Sequence, residues 1–145
     1  MDSGPLGIAS NPRATPEAMD CRNWLRGVLR EGAAVVIPEI CDYEVRRELL
    51  RSRKIEGIRR LDSLKSSFLY LPLTTAMMVR AAQFWADARN MGKPTAEDAR
   101  LDCDMILSAQ AYELGRGGDE VVIATTNVRH LEVFAHAQYW KEIGL

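Results

Sequence analysis

Asp2, Glu44, Asp104 and Asn127 are spread over nearly the whole of a 145-residue chain. Each is expected where a strand passes into a helix or where a helix begins. Asp2 opens the stretch Asp2-Ser3-Gly4-Pro5-Leu6-Gly7, an acid with turn residues behind it. Glu44 falls about two turns into a helix that follows a short apolar run. Asp102 and Asp104 stand at the start of an apolar helix, where carboxylates interact well with the helix dipole and the free N–H groups. Thr125-Thr126-Asn127 closes the most convincing strand in the chain. Acids gathered from distant parts of a sequence repel one another unless a cation sits among them, and hard oxygen donors suit Mg²⁺ or Mn²⁺. A carboxylate-held divalent ion lowers the pKa of a bound water and stabilises charge on phosphorus, so the predicted chemistry is metal-dependent phosphodiester hydrolysis.

Each residue also has a plainer reading. Asp2 alone reads as a solvated terminal residue, Asp102 as a helix N-cap, and Glu44 as an ion-pair partner of Arg47 or Arg51 at helical spacing. Asp104 lies beside Met105, Ile106 and Leu107, which makes a merely solvated role harder to assign. The set carries the reading.

The elements that must position these groups follow from local signals. Thr15 as N-cap with Pro16 at the first helical position starts a helix that Gly32 ends, with Ala18, Cys21, Trp24, Leu25, Val28 and Leu29 on one face. Residues 33–37 form a continuous apolar run and read as a strand buried on both faces. Pro38 closes it and leads into a helix over 39–52, and a second helix covers 56–66. Residues 68–73 read as a strand. Thr74 caps a long helix through Met91, stopped by Gly92 and followed by Lys93-Pro94. Residues 96–100 are a polar connection, and 101–114 are a buried helix. Residues 116–119 form a loop, 121–125 a strand, and 137–140 a last edge strand. Strands alternating with helices predict an α/β fold, a parallel sheet sandwiched by helices, with the site beyond the carboxyl ends of the strands.

Length and composition predict one domain over 1–145, with a core supported by the 47% hydrophobic content. A formal net charge of -1 argues against a uniformly basic nucleic-acid wrapper. Cys21, Cys41 and Cys103 are odd in number and lack C-x-x-C spacing, so they read as reduced thiols of a cytoplasmic protein. No apolar run is long enough to span a membrane, and no signal peptide is evident.

With these residues in place, the chain resembles the PIN-domain ribonucleases, in particular the VapC-like toxins of prokaryotic toxin–antitoxin pairs. Asp2-Ser3-Gly4-Pro5-Leu6 looks like the first motif of that family, an aspartate followed by Ser or Thr and a small-apolar turn. Ile37-Pro38-Glu39-Ile40-Cys41-Asp42-Tyr43-Glu44 looks like the second, and Asp104-Met105-Ile106-Leu107-Ser108-Ala109-Gln110-Ala111 is similar to the third. Val122-Ile123-Ala124-Thr125-Thr126-Asn127-Val128-Arg129-His130-Leu131 looks like the fourth. The resemblance implies a sheet of four or five parallel strands between helices, and one or two Mg²⁺ or Mn²⁺ ions. It also implies cleavage of RNA to leave a 5′-phosphate, a cognate antitoxin and a homodimer. Asp2, Glu44 and Asp104 match the metal-binding acids. Asn127 matches the fourth acidic position, where it offers an amide oxygen without charge. Ser3 and Thr125 or Thr126 would support the site, and Asp102 is a further candidate ligand.

The chain departs from the family at one place. The family's first, central strand precedes its first aspartate, and here only Met1 does, so the first strand reads as truncated. The expectation is that an upstream start codon supplies that strand, with another segment filling the gap, or a damaged fold, as alternatives.

Arg46, Arg47 and Arg51 open a strongly positive segment that extends to Lys65, and Arg129 adjoins Asn127. These are candidate RNA-backbone contacts, or a solvated helix face with internal ion pairs. His130 is expected to position a phosphate or cap the strand end. Two competing functions are a catalytically silent PIN-like module that binds RNA or protein, and a phosphatase with Asp2 as nucleophile. The second is weak, because Gly4 stands where such enzymes carry another aspartate.

Overall fold

The computed structural model describes residues 1–91 and 98–144, with backbone alone over 98–101. Its elements run α1 (Ser3–Ser10), α2 (Pro16–Arg30), β1 (Val36–Pro38), α3 (Glu39–Arg51), α4 (Ile55–Ser67), β2 (Leu69–Leu71), α5 (Thr75–Asn90), α6 (Asp98–Gly115), β3 (Ile123–Thr125) and β4 (Ala137–Tyr139). Short 3₁₀ turns cover Val128–His130 and Trp140–Glu142. The fold is mixed α/β and mostly helical, and no helix among the described residues is long and apolar enough to cross a membrane.

Most helix ends lie where capping residues place them. The Thr15 hydroxyl accepts from the Ala18 N–H at 3.2 Å, Pro16 occupies the first turn, and Gly32 takes φ +83° just past the end of α2. Thr74 caps α5 in the same way, through the Met77 N–H at 3.2 Å. The Gly92, Lys93 and Pro94 stop signals lie outside the described residues.

Two expectations about helices need correction. The opening stretch is not a turn but the start of α1, with Asp2 as its N-cap. Gly4 and Pro5 are tolerated because they fall in the first turn, where backbone N–H groups have no partner within the helix. Leu6 and Ala9 then become part of the core. At the other end of the chain α6 begins at Asp98, within the segment expected to be a polar connection. Asp102 and Asp104 therefore lie past the first turn, and Asp102 is not an N-cap. Leu29, placed on the buried face of α2, is exposed.

The strands are shorter than predicted and form two separate parallel pairs, β1–β2 and β3–β4, rather than one continuous sheet. Val36 lies opposite Leu69 in the first pair, and Ile123 opposite Ala137 in the second. What links them is the backbone of the first two residues. The Met1 ammonium donates to Val36 O at 3.0 Å, and the Asp2 N–H donates to Ala124 O at 2.9 Å. Met1 and Asp2 thus sit between β1 and β3 and bond to both.

A main core of α1, α2, α3, α4 and the strands surrounds that junction, with Leu6, Ile37, Leu61 and Trp140 nearly fully buried. A smaller cluster joins Ala81 of α5 to Met105 and Ala109 of α6, with Phe84 stacked on Phe134 at 5.0 Å. Trp24 tilts against Trp140 at 5.5 Å, a core contact as its helical spacing suggested. Gln110, fully buried, ties these parts together. Its Nε2 donates to Leu71 O at 2.8 Å and its Oε1 accepts from the Ile40 N–H at 3.5 Å, so α6 is fixed to the end of β2 and the start of α3.

Replacing Gln110 by Leu leaves one buried and one half-buried backbone group without their Gln110 partner and should cost about 1–3 kcal/mol in urea unfolding. Thr15→Ala, which removes only a cap at the periphery, should cost about 1 kcal/mol. Equal losses in the two variants would contradict the assigned role of Gln110.

Candidate functional site

The carboxylate of Asp2 is held from three directions. Its Oδ1 accepts from the Ser3 N–H at 2.5 Å and more loosely from the Ser3 hydroxyl at 3.3 Å. Its Oδ2 accepts from the Thr125 hydroxyl at 2.6 Å, and the same Thr125 oxygen accepts from the Asn127 N–H at 2.9 Å. Asp2 is therefore not a solvated terminal residue. Three features place it at the carboxyl edge of the strands: the backbone bond to Ala124, the cap on α1, and a hydroxyl from the last residue of β3. The approach of α1 to β3 needs Gly4, since a Cβ there would overlap the Thr126 side chain. Sequence reasoning used Gly4 only as a motif residue and as the argument against a phosphatase, although a glycine two residues after a half-buried acid is a sign of close backbone approach.

Glu44 faces Asp2 from α3. Its carboxylate lies so close that ligand atoms of Asp2, Cys41 and Glu44 all fall within 4.8 Å of one another. Burial pushes the Glu44 carboxyl upward from its ordinary range. The Cys103 thiol opposes that shift by hydrogen bonding, the Asp2 charge adds to it, and the Ser3 hydroxyl and Arg47 oppose it. Arg47 approaches Glu44 at 3.8 Å, the longest of the α3 ion pairs, while Arg51 pairs with Glu48 instead.

Cys41 and Cys103 are the residues that sequence reasoning missed. Cys41 stands one helical turn before Glu44 on the same face of α3, and Cys103 adjoins both candidate acids of α6. That spacing was the available signal. Both thiols are pushed up by burial first, Cys103 to about 12 with the Glu44 charge next in effect, and Cys41 well above the ordinary thiol range with Asp2 next. Both keep their protons at neutral pH: Cys103 donates to Glu44, whereas Cys41 receives the Ser3 backbone N–H.

The remaining candidates are placed less centrally. Asp104 is half-buried on α6 and lies 3.6 Å from His130 Nδ1, across from the 3₁₀ turn after β3. Its residue neighbour Cys103 reaches Glu44, so Asp104 borders the site without joining the Asp2–Glu44 group. Asp102 is exposed, as are Asn127 and Thr126. His130 turns to Asp104, where the sequence suggested a phosphate contact or a strand cap.

Among the basic residues, Arg46 is bound to Asp42 at 2.8 Å and to Asp62 at 2.7 Å. Arg51 is bound to Glu48 at 2.7 Å, and Arg59 to Glu56 at 2.7 Å. Internal pairing thus accounts for much of the positive segment. Arg47, with its guanidinium over the Tyr43 ring at 5.3 Å, and Arg129 keep exposed positions near the site residues Glu44 and Asn127.

Compared with protein-family models, curated proteins and solved structures, the chain matches none. The site is therefore argued from its own geometry: two carboxylates at one strand edge, buried enough to repel, with a third acid alongside.

Two outcomes follow. Thr125→Val removes the hydroxyl that serves Asp2 and the Asn127 N–H, and should lower stability by about 1–3 kcal/mol, with Thr125→Ser restoring most of it. In chelator, Glu44 should make stability depend on pH. Because its folded pKa is raised, its contribution is fully present below the ordinary glutamate range and lost as pH rises through the folded value. Glu44→Gln should therefore gain on the wild type as pH is raised from acid to neutral in thermal melts. A gap that stays constant with pH would contradict the burial of that carboxyl.

Proposed function

We propose that this chain is a metal-dependent endoribonuclease of the PIN-domain kind, the toxin of a toxin–antitoxin pair. The observation that carries the reading is the fixed Asp2 carboxylate with Glu44 held against it at the end of the strands. The donor chemistry fits a hard divalent cation. Each Asp2 oxygen is oriented by a donor from one side, and the Glu44 carboxylate lies within 4.8 Å of it with the Cys41 thiol alongside, so carboxylate oxygens make up most of the donor set. Asp2 and Glu44 would hold Mg²⁺ or Mn²⁺, with Asp104 contributing from α6. When bound, the ion supplies a water of lowered pKa and positive charge towards a phosphodiester.

The chain's own residues then have distinct parts. Thr125 and Ser3 orient Asp2, and Cys103 donates to Glu44. His130 fixes Asp104 at the border of the site. Asn127 offers a neutral amide to the substrate. Arg47 and Arg129 are the cations best placed to meet an RNA backbone, since Arg46 and Arg51 are bound to acids of the chain. The antitoxin is proposed from the family resemblance. A homodimer gains support from α5, which exposes Met78, Val79 and Trp85.

Cleavage of single-stranded RNA at saturating Mn²⁺ should fall by roughly a hundredfold or more in Asp2→Asn, Glu44→Gln and Asp104→Asn, with circular dichroism unchanged. Full cleavage by Asp2→Asn or Glu44→Gln would sink the proposal. A wild type that neither cleaves RNA nor binds Mn²⁺ would identify the silent RNA- or protein-binding module instead.

A further inference from the structure

Cys41 has no part in the chemistry assigned so far, yet its sulfur lies at the site. The residue stands one helical turn before Glu44 on α3, so the two side chains leave the same face of that helix. Its Sγ and carboxylate oxygens of Asp2 and Glu44 lie within 4.8 Å of one another, three donors brought together from two parts of the chain. Cys41 is fully buried, whereas Asp2 and Glu44 are half-buried, so the sulfur forms the floor of this group and the carboxylates its rim.

The three cysteines are bonded differently. Cys21 donates to the Pro5 carbonyl at 3.5 Å, and Cys103 donates to Glu44. Cys41 receives the Ser3 N–H, and among the described residues no acceptor takes its own proton. Packing asks only for a small apolar group at such a place. It does not account for a sulfur set against two carboxylates.

The donor set decides which ion it suits. Mg²⁺ demands near-octahedral oxygen coordination and keeps several waters, so it gains nothing from the thiol. Zn²⁺ accepts four ligands, takes thiolate and carboxylate together, and is held more tightly than Mn²⁺ by a given set of mixed donors. Three protein donors leave one tetrahedral position open, as in zinc sites that exchange their fourth ligand.

We propose that Asp2, Cys41 and Glu44 form a Zn²⁺ site with Cys41 Sγ as a ligand, at which Zn²⁺ competes with the hard ion for the same two carboxylates. On binding, the Cys41 S–H bond breaks, a sulfur–zinc bond forms, and the proton passes to solvent without any change of oxidation state. Cys103 stays outside the triangle as the donor to Glu44. This zinc site rests on the pairing of Asp2 with Glu44 assigned above, and it makes zinc a regulator of the metal-dependent chemistry proposed there.

The test uses the full chain freed of metal by chelator. X-ray absorption at the zinc edge should show one sulfur at about 2.3 Å among oxygens at about 2.0–2.2 Å. Cd²⁺ in place of Zn²⁺ should give a thiolate-to-metal charge-transfer band, kept in Cys21→Ser and lost in Cys41→Ser. The Zn²⁺ affinity of Cys41→Ser should fall by more than about tenfold, the least that removal of even an outer partner of a ligand costs. Mn²⁺ bound to the wild type, followed by electron paramagnetic resonance, should be released on addition of Zn²⁺. A wild-type zinc shell without sulfur would overturn the proposal, and this readout needs no variant to fold. So would a cadmium band that persists in Cys41→Ser, or Mn²⁺ that stays bound beside Zn²⁺. Sulfur-bound zinc in a chain that neither binds Mn²⁺ nor cleaves RNA would sustain the zinc site and defeat the nuclease reading alone.

Discussion

The backbone of Met1 and Asp2, bonded on one side to Val36 and on the other to Ala124, is the constraint on which the rest of the structure depends. Two hydrogen bonds in opposite directions give this dipeptide the position of a central strand. They bring the end of β1 and the end of β3 to the same edge, and they aim the Asp2 side chain there. Asp2 then begins α1, whose Leu6 and Ala9 enter the core. Position of the acid and integrity of the fold are consequently not separable: the residue that would bind a cation also starts the first helix and joins the strand pairs.

Around that dipeptide, the site is a balance between desolvation and directed hydrogen bonds. Asp2 is compensated by Ser3 and Thr125, whereas Glu44 is compensated by the Cys103 thiol, then the Ser3 side chain and Arg47, and burial prevails. Two carboxylates at such distance in a half-buried setting favour either a shared proton or a cation. Arg47 at 3.8 Å is too far and too exposed to serve as that cation. A divalent ion as that counter-charge is the proposal made above.

Helix positions were largely legible in the sequence because capping is local. Thr15, Pro16, Gly32 and Thr74 act on residues within one turn, and the structure uses each as expected. The exceptions are also local. Gly4-Pro5 reads as a turn by composition, yet the first turn of a helix imposes the same backbone freedom from hydrogen bonding. Strand pairing was not legible, because it is set by chain separated by tens of residues, and only two or three residues of each predicted run take ladder geometry. Among the acids, Asp2 and Glu44 come together as their order suggested. Asp104 is drawn aside to His130, a contact across the 3₁₀ turn that no spacing rule gives. Cys41 was assigned by its type and not its place, although one helical turn separates it from Glu44. The basic segment divides according to partners that only the fold supplies, Asp62 on α4 for Arg46 above all.

The central claim is that Asp2 and Glu44 form one cation site, and anomalous scattering from crystals grown with Mn²⁺ tests it most directly. The account predicts a manganese peak between the two carboxylates, about 2.0–2.3 Å from an oxygen of each. Strong manganese density elsewhere on the protein with none between Asp2 and Glu44, or an unoccupied pair at saturating Mn²⁺, would contradict it.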